Sequence, residues 1–194
     1  MEKKTEKPGR KARYTRMVLQ DSVTELLRTR PITRISIKEI CDLADIGRTT
    51  FYAHYDDQYD LLQQIEEQTF IDIDKIIQSF MRSAKKSSIR EVTVFIQEIL
   101  QYIANNGNSI QVLLSENGDS GFQRKFFRLG IESIRQATEA AGVTSQKVKT
   151  GKYGSVFVVG GTLTLVQEWL KNGMDTPVPE LAKILAKLTE DALG

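Results

Sequence analysis

The sequence contains only one cysteine and one histidine among its 194 residues. A single cysteine excludes an intramolecular disulfide and is typical of a reducing compartment, and a single histidine excludes a metal site built from several histidines. The first residues are polar, so we expect no signal peptide. Neither the uncharged stretch at residues 153–167 nor the longest one, residues 99–115, reaches the roughly 20 residues that span a bilayer. We therefore expect a cytoplasmic protein with no membrane span, no metal and no cofactor.

Excess charge is also scarce, because the formal net charge is only +2. The charge is unevenly distributed, however: residues 1–56 hold twelve basic and eight acidic side chains, a net +4, and the remainder carries −2. A basic first third is typical of a surface that binds a polyanion. Seven of the cations lie between Lys3 and Arg16. The alternative is a charged, disordered tail that only aids solubility, and charge alone does not decide between the two.

Hydrophobic spacing is helical along the chain, and no useful length alternates polar and apolar residues as a strand does. In the first segment, Leu19, Val23, Leu26 and Leu27 form one apolar face. Polar breaks are expected at residues 83–88, 105–108 and 117–118, at Gly142 and at residues 172–173. The pattern predicts an all-α protein of about nine helices with no long linker.

Two short helices joined by a tight turn are predicted between residues 36 and 54. Ser36 and Glu39 have the spacing of a capping box, which starts the first helix, and Gly47 suits the turn. This arrangement is a helix-turn-helix, whose second helix lies in the DNA major groove. In that second helix, from Arg48 to about His54, helical spacing turns Phe51 inward together with Tyr55. The outward residues all carry hydrogen-bonding groups: Arg48, Thr49, Thr50, Tyr52 and His54.

These residues resemble the TetR family of bacterial transcriptional regulators. The resemblance lies in residues 35–44 (ISIKEICDLA), residues 46–55 (IGRTTFYAHY) and residues 61–62 (LL). Residues 50–55 match the family's T-[LF]-Y-x-[HY]-F core. The resemblance implies three N-terminal helices for DNA in residues 1–56, with a basic arm, and about six more in a ligand-binding and dimerising region, residues 57–194. It also implies a homodimer on a palindromic double-stranded DNA operator, and a repressor that a small-molecule effector releases.

The resemblance also implies residue roles. Ser36 marks a helix start that contacts phosphate, Tyr52 and His54 contact phosphate, and base edges or flanking phosphates are contacted by Arg48, Thr49 and Thr50. The chain departs from the family at two positions: Gly47 stands where Ser, Thr or Asn is frequent, and Gln58 replaces a lysine. Simpler structural roles remain open, namely packing of Tyr52 or His54. For Cys41, core packing is the favoured interpretation over redox sensing.

The C-terminal part carries an apolar seam that we interpret as a dimer interface. Small residues near Gly160 and Gly161 permit close helix approach, although a helix buried within one subunit is the alternative. Residues 160–174 (GGTLTLVQEWLKNGM) also resemble regulators linked to dihydroxyacetone kinase operons. The predicted interface residues are Val156, Val159, Leu163, Val166, Leu170, Leu181, Leu185 and Leu188.

An effector pocket is implied among the body helices, and the candidate lining residues are mostly aromatic: Phe95, Ile99, Tyr102, Phe126 and Phe157. The simpler interpretation is that they fill the core. A regulator of the same fold that acts through a protein partner is a second hypothesis. An enzyme is a third and weaker one, because one histidine and one cysteine make a catalytic triad improbable and the sequence has no phosphate-binding loop motif.

Overall fold

The computed structural model describes residues 9–83, 89–140 and 145–193, and within these ranges the chain is helical with no strand. Nine α-helices are present there. Their bounds are α1 Arg10–Leu27, α2 Ile37–Ala44, α3 Arg48–Tyr52, α4 Gln58–Ser83, α5 Ile89–Asn105, α6 Gly107–Leu113, α7 Ser120–Ala140, α8 Ser145–Lys171 and α9 Val178–Leu193. This confirms the all-α prediction. Of the break predicted at residues 83–88, Ser83 is the last residue of α4, and residues 84–88 lie outside the described residues, as does Gly142.

Helices α1, α2 and α3 form the N-terminal part, which we call the head. Leu19, Val23 and Leu27 of α1 are almost fully buried, as their spacing predicts. Helix α2 packs on α1 and α3 packs on α2, and Ile40 and Phe51 belong to the same buried cluster. Cys41 is also buried, and burial raises the pKa of its thiol, so it is a core residue as predicted. Helix α1 begins at Arg10, so the second half of the predicted basic arm is helical.

The turn between α2 and α3 differs in one detail from the expected one. Asp45, and not Gly47, adopts the left-handed conformation, with φ 52°. The N–H of Ile46 donates to the carbonyl of Cys41 at 3.0 Å, a wrap-around bond of the kind that closes many helices at such a residue. Gly47 is extended, with φ −66°, and precedes α3 as its N-cap. Any residue can adopt that conformation.

Helices α4 to α9 form the remainder, which we call the body. Helix α4 contacts α1 of the head as well as α5 and α7, while α9 packs along α5 and against α8. A single buried cluster continues from the head into the body, from Leu19 to Leu185. None of the helices in the described ranges combines the length and apolar character that a bilayer span requires.

Helix α6 is bonded to both the head and the body. On the head side, the Arg28 guanidinium donates to Asn108 Oδ1 at 2.7 Å. At the other end, the Leu114 carbonyl accepts from Gln123 Nε2 at 3.1 Å and from Gln167 Nε2 at 2.7 Å. Gln123 belongs to α7 and Gln167 to α8, so α6 is connected to the end of α1, to α7 and to α8.

Candidate nucleic-acid interface

Helix α3 is held by two buried aromatic residues. Phe51 is fully buried and Tyr55 is 2% exposed, and their rings lie 5.7 Å apart. Gln20 of α1 donates to the Tyr55 hydroxyl at 3.4 Å, and burial raises the pKa of that phenol. These contacts fix the rotation of α3 on the head, so they decide which of its side chains reach solvent.

The opposite face of α3 is polar and exposed. Arg48, Thr49 and Thr50 are exposed in its first turn, and Tyr52 is 57% exposed. The Tyr52 ring meets Phe51 edge to face at 5.7 Å, which restrains the phenol without burying it. His54 lies in the turn after α3, which ends two residues earlier than predicted, and it is half-buried. Five hydrogen-bonding side chains therefore lie along one short segment, residues 48–54.

The start of α2 is closed by its own side chains. Ser36 Oγ donates to Glu39 Oε2 at 2.7 Å and accepts from the Glu39 N–H at 3.3 Å, so the predicted capping box is confirmed. The Ser36 hydrogen bonds, and to a lesser extent the charge of Arg30, which bonds Glu39 Oε1 at 2.7 Å, lower the pKa of Glu39. A phosphate at this helix start meets a carboxylate as well as free N–H groups. The Ser36 contact with phosphate stays a prediction.

The start of α4 is capped in the same way. Asp57 Oδ1 accepts from the N–H groups of Tyr59 and Asp60, each at 2.8 Å. Two N–H groups at this helix start are therefore already bonded to a carboxylate, and Gln58 supplies no positive charge, so α4 is a poor phosphate site.

Positive charge in the head comes instead from exposed side chains on α1, on the connection to α2, and on α2 and α3. Each of these cations lacks an ion-pair partner within the described ranges: Arg10, Lys11, Arg13, Arg16, Arg34, Lys38 and Arg48. Free cations can exchange solvent counterions for phosphates, which is the main source of non-specific DNA affinity.

Several large apolar side chains are exposed on α8 and α9. Tyr153 and Phe157 of α8 are 73% and 71% exposed, and Val156 between them is 45% exposed. On α9, Ile184 and Leu188 are 45% and 52% exposed. A Cβ added at Gly161, on the same face of α8, would meet nothing within 4 Å. Large exposed apolar side chains grouped on two helices are typical of a surface that another molecule covers.

Most of the predicted interface residues lie inside the subunit. The buried members, Val166, Leu170, Leu181 and Leu185, lie in the subunit's own core, where a partner cannot reach them. Leu163 packs against that core, and Val159 packs on Gly130 of α7, where an added Cβ would lie 2.9 Å from a Val159 methyl group. Only Val156 and Leu188 of the predicted set face outward.

The predicted pocket residues occupy three different environments: the surface, the edge of the core and an open groove. The side chain of Phe157 is exposed on α8, so no enclosed pocket surrounds it within one subunit. Ile99, Tyr102 and Phe126 pack against the core cluster. Phe95 stacks on Phe80 at 4.4 Å and lines an open groove of about 200 Å³ between α4 and α5.

Two features of the body escaped the sequence interpretation. The side chain of Glu66 on α4 is 6% exposed, although glutamate is usually a surface residue. Its position one residue after Ile65, within the apolar face of α4, was the available signal. Tyr153 and Ile184 were not assigned to the interface.

No group of three His, Cys, Asp or Glu side chains suited to a metal is found in the described parts of the chain.

Comparison with known families decides the identity. Residues 90–191, more than half of the chain, match a TetR C-terminal family model described as a transcriptional regulator C-terminal region. The chain belongs to the TetR family of transcriptional regulators. TetR-family regulators bind DNA and act as dimers, and they are not enzymes.

Individual relatives agree with this assignment. An uncharacterized HTH-type transcriptional regulator of Haemophilus influenzae is 24% identical over 180 residues, 90% of this chain and 84% of that protein. The dihydroxyacetone kinase operon activator DhaS has the same fold, with a TM-score of 0.59, 16% identity and coverage of 91% of this chain and 94% of DhaS. The fatty acid degradation regulator FadR of Bacillus halodurans has a TM-score of 0.68, 14% identity and coverage of 97% of both chains.

Proposed function

We propose that this TetR-family regulator binds a palindromic operator as a homodimer, with α3 of each subunit in the major groove. The observation that carries this proposal is the exposed polar face of α3, held in place by Phe51 and Tyr55. In this proposal, residues 1–56 form the DNA-binding domain and residues 57–194 the regulatory and dimerisation domain. Because the target is a bacterial chromosome, the regulator acts in the cytoplasm.

Five polar residues in and just after α3 have assigned roles in this proposal. Arg48, Thr49 and Thr50, in the first turn of α3, contact base edges or flanking phosphates, since the N-terminal residues of a recognition helix reach furthest into the groove. Tyr52 and His54 donate hydrogen bonds to phosphate oxygens. Such phosphate contacts set the register of the helix on the duplex, whereas base contacts supply the specificity.

The apolar surface of α8 and α9 is the dimer interface in this proposal. Tyr153, Val156 and Phe157 of α8 meet the partner together with Ile184 and Leu188 of α9. Gly161 leaves room for the partner's backbone or side chain to approach closely. A two-fold axis through this surface presents two heads to half-sites separated by one helical turn of DNA, about 34 Å, or by a multiple of it.

The regulator is a repressor that a small-molecule effector releases from DNA. A dimer bound across two half-sites covers a promoter and excludes polymerase. The effector stabilises a conformation of the body in which the distance between the two heads no longer matches the half-sites. DhaS is named as an operon activator, so the direction of regulation requires a direct test. Deletion of the gene in the source bacterium should raise transcription from the bound promoters, and a fall would assign activation instead.

The experiment that tests DNA binding starts by selecting genomic DNA fragments that the purified protein retains. The affinity for a selected operator is then measured by fluorescence anisotropy for the native protein and for a Tyr52→Ala, His54→Ala double variant. We expect the variant to lose at least tenfold in affinity, because two phosphate contacts disappear. Lys171→Ala, which removes an exposed cation from the end of α8, is the control and should bind normally. Unchanged binding by the double variant would contradict the assignment of the head surface.

A further inference from the structure

Glu66 is a buried carboxylate without its expected partner. It lies on α4, and its Oε1 atom is inaccessible to solvent and has no hydrogen-bond partner within the described ranges. Burial, with a smaller contribution from the Asp119 carboxylate, raises the pKa of Glu66 to about 7. An ionised carboxylate in such a place is costly unless a cation or several donors satisfy it. The site therefore lacks a positively charged or strongly donating group.

The surrounding charges do not supply that group. Asp119 and Glu67 act on Glu66 as like charges, and Lys125 is the cation that opposes them. All three of these neighbours are exposed, so their charges are partly screened by solvent. The local field is negative, which favours a cation and disfavours an anionic ligand.

Three phenylalanine rings lie on the two helices that meet at this carboxylate. Phe70 follows Glu66 by one turn of α4, so both face α7, and the Phe70 ring lies 4.8 Å from Phe122 and 6.5 Å from Phe126. Phe122 and Phe126 lie on the face of α7 that begins at Asp119 and are 6.0 Å apart. Phe122 is fully buried, whereas Phe70 and Phe126 are half-buried, so the ring cluster extends from the core toward solvent.

We propose that the seam between α4 and α7 binds an organic cation, whose ammonium group pairs with Glu66 and whose apolar part lies against the half-buried rings of Phe70 and Phe126. Aromatic faces attract ammonium groups, and a carboxylate supplies the opposite charge, so the two chemistries select the same ligand class. A bare metal ion does not fit, because phenylalanine offers no ligand atoms. This inference rests on the proposed function, since the cation is assigned as the effector that releases operator DNA.

The test uses the full-length protein and phenethylammonium, with 2-phenylethanol as the neutral analogue and 3-phenylpropionate as the anionic one. Binding is measured by calorimetry at pH 6 and pH 8, where the amine stays protonated. We expect the ammonium to bind about tenfold more tightly at pH 8, because a carboxyl group with a pKa of about 7 is ionised to about 9% at pH 6 and about 91% at pH 8. The two analogues should bind at least tenfold more weakly at pH 8.

Two variants separate the site from a general effect of charge. Glu66→Gln should lower the affinity for phenethylammonium at least tenfold and abolish its pH dependence. Asp74→Asn removes an exposed carboxylate about two turns further along α4, which is not among the charges that act on Glu66, and should preserve both. The comparison of ligands on the native protein needs no variant, so it remains decisive even if Glu66→Gln fails to fold.

The outcomes distinguish this inference from the proposed function. Equal affinity for the alcohol and the ammonium, absence of the pH dependence, or no binding at millimolar phenethylammonium would overturn the organic-cation site. Operator binding measured without any cation tests the DNA-binding proposal separately. If the site is correct, the cation also releases operator DNA from the native protein, and Glu66→Gln resists that release.

Discussion

The head and the body distribute polarity in opposite ways. In the head, the surface assigned to function is polar and exposed, and it rests on buried aromatic residues such as Phe51. In the body, apolar side chains such as Phe157 lie on the surface, while the carboxylate of Glu66 lies inside. The exposed face of α3 thus has the polarity of a surface that contacts a solvated polyanion. The body has the distribution of a unit whose surfaces are completed by other molecules.

The difference shows where a single-chain description is sufficient. For the head, burial within one subunit already predicts which side chains face the DNA. For the body, exposed apolar residues and an unpaired buried charge each indicate a missing neighbour, namely a second subunit and a ligand. Variants that restore ordinary polarity in the body should therefore have large effects, whereas changes that preserve the polarity of the head should have small ones.

The largest expected effect comes from making the α8 surface polar. Phe157→Glu should convert the dimer into a monomer, because a carboxylate on each subunit would be buried at the interface without a partner. Operator affinity should fall by roughly 100-fold or more, since the two heads would no longer bind as one unit. Light scattering coupled to size-exclusion chromatography gives the mass, and anisotropy gives the affinity.

The control for that variant is Ile71→Glu, which places the same charge on an exposed apolar residue of α4. It should leave the mass and the operator affinity unchanged. A Phe157→Glu protein that remains dimeric would show that the exposed surface of α8 is not the interface. The contrast between head and body would then rest on the buried carboxylate of Glu66 alone.

An intermediate effect is expected from removing the buried charge. The pKa of Glu66, about 7, is raised above its ordinary value, so the folded protein keeps a proton that the unfolded chain loses between about pH 4.5 and pH 7. Stability should therefore fall as the pH rises through this window, by roughly 3 kcal/mol at most. Glu66→Gln should lack this fall and be more stable than the native protein at pH 8.

Urea denaturation of both proteins at pH 5 and pH 8 measures the difference, which is insensitive to the other titrating groups because they are common to the two. Equal pH dependence in the two proteins would mean that Glu66 is ionised and well solvated in the folded state. The body would then contain no unsatisfied charge.

The smallest effect is expected at Gly47, in the head. Its backbone is extended, and an added Cβ would meet nothing within 4 Å. Gly47→Ser should stabilise the protein by a few tenths of a kcal/mol, because the hydroxyl can cap α3. Gly47→Ala lacks the hydroxyl and should be less stable than the serine variant by about 1 kcal/mol, as chemical denaturation can show. A loss of stability in both would indicate that the site has no free space.

The sequence predicted most of the head at the level of single residues. Ser36 and Glu39 form the capping box, and Phe51 and Tyr55 are buried as their spacing requires. These features are local, because a cap or an i, i+4 pair depends only on neighbouring residues. The conformation of Asp45 was missed, since the sequence pattern favoured the glycine two positions later.

The body was predicted at the level of its helices but not of its surfaces. Leu181 and Leu185 were assigned to an intermolecular interface, yet they are buried within the subunit, whereas Ile184 is exposed. An apolar stripe shows only that a helix is covered, and packing on α5 or on a partner gives the same spacing. The assignment of Phe157 to a pocket has a related weakness, because an aromatic residue at a helical position suits a pocket, a core or an interface equally.

The hydrogen bonds of α6 connect the head to two helices of the body, so this helix can transmit movement between them. Its first residues are bonded to the end of α1 through Asn108 and Arg28, and the carbonyl of Leu114 is held by α7 and α8. A helix of seven residues is a rod about 10 Å long, so a displacement of about 1 Å at one end tilts it by about 6°. Movement at the α4–α7 seam or at the α8 surface would therefore tilt α6, and this tilt would rotate the head relative to the body.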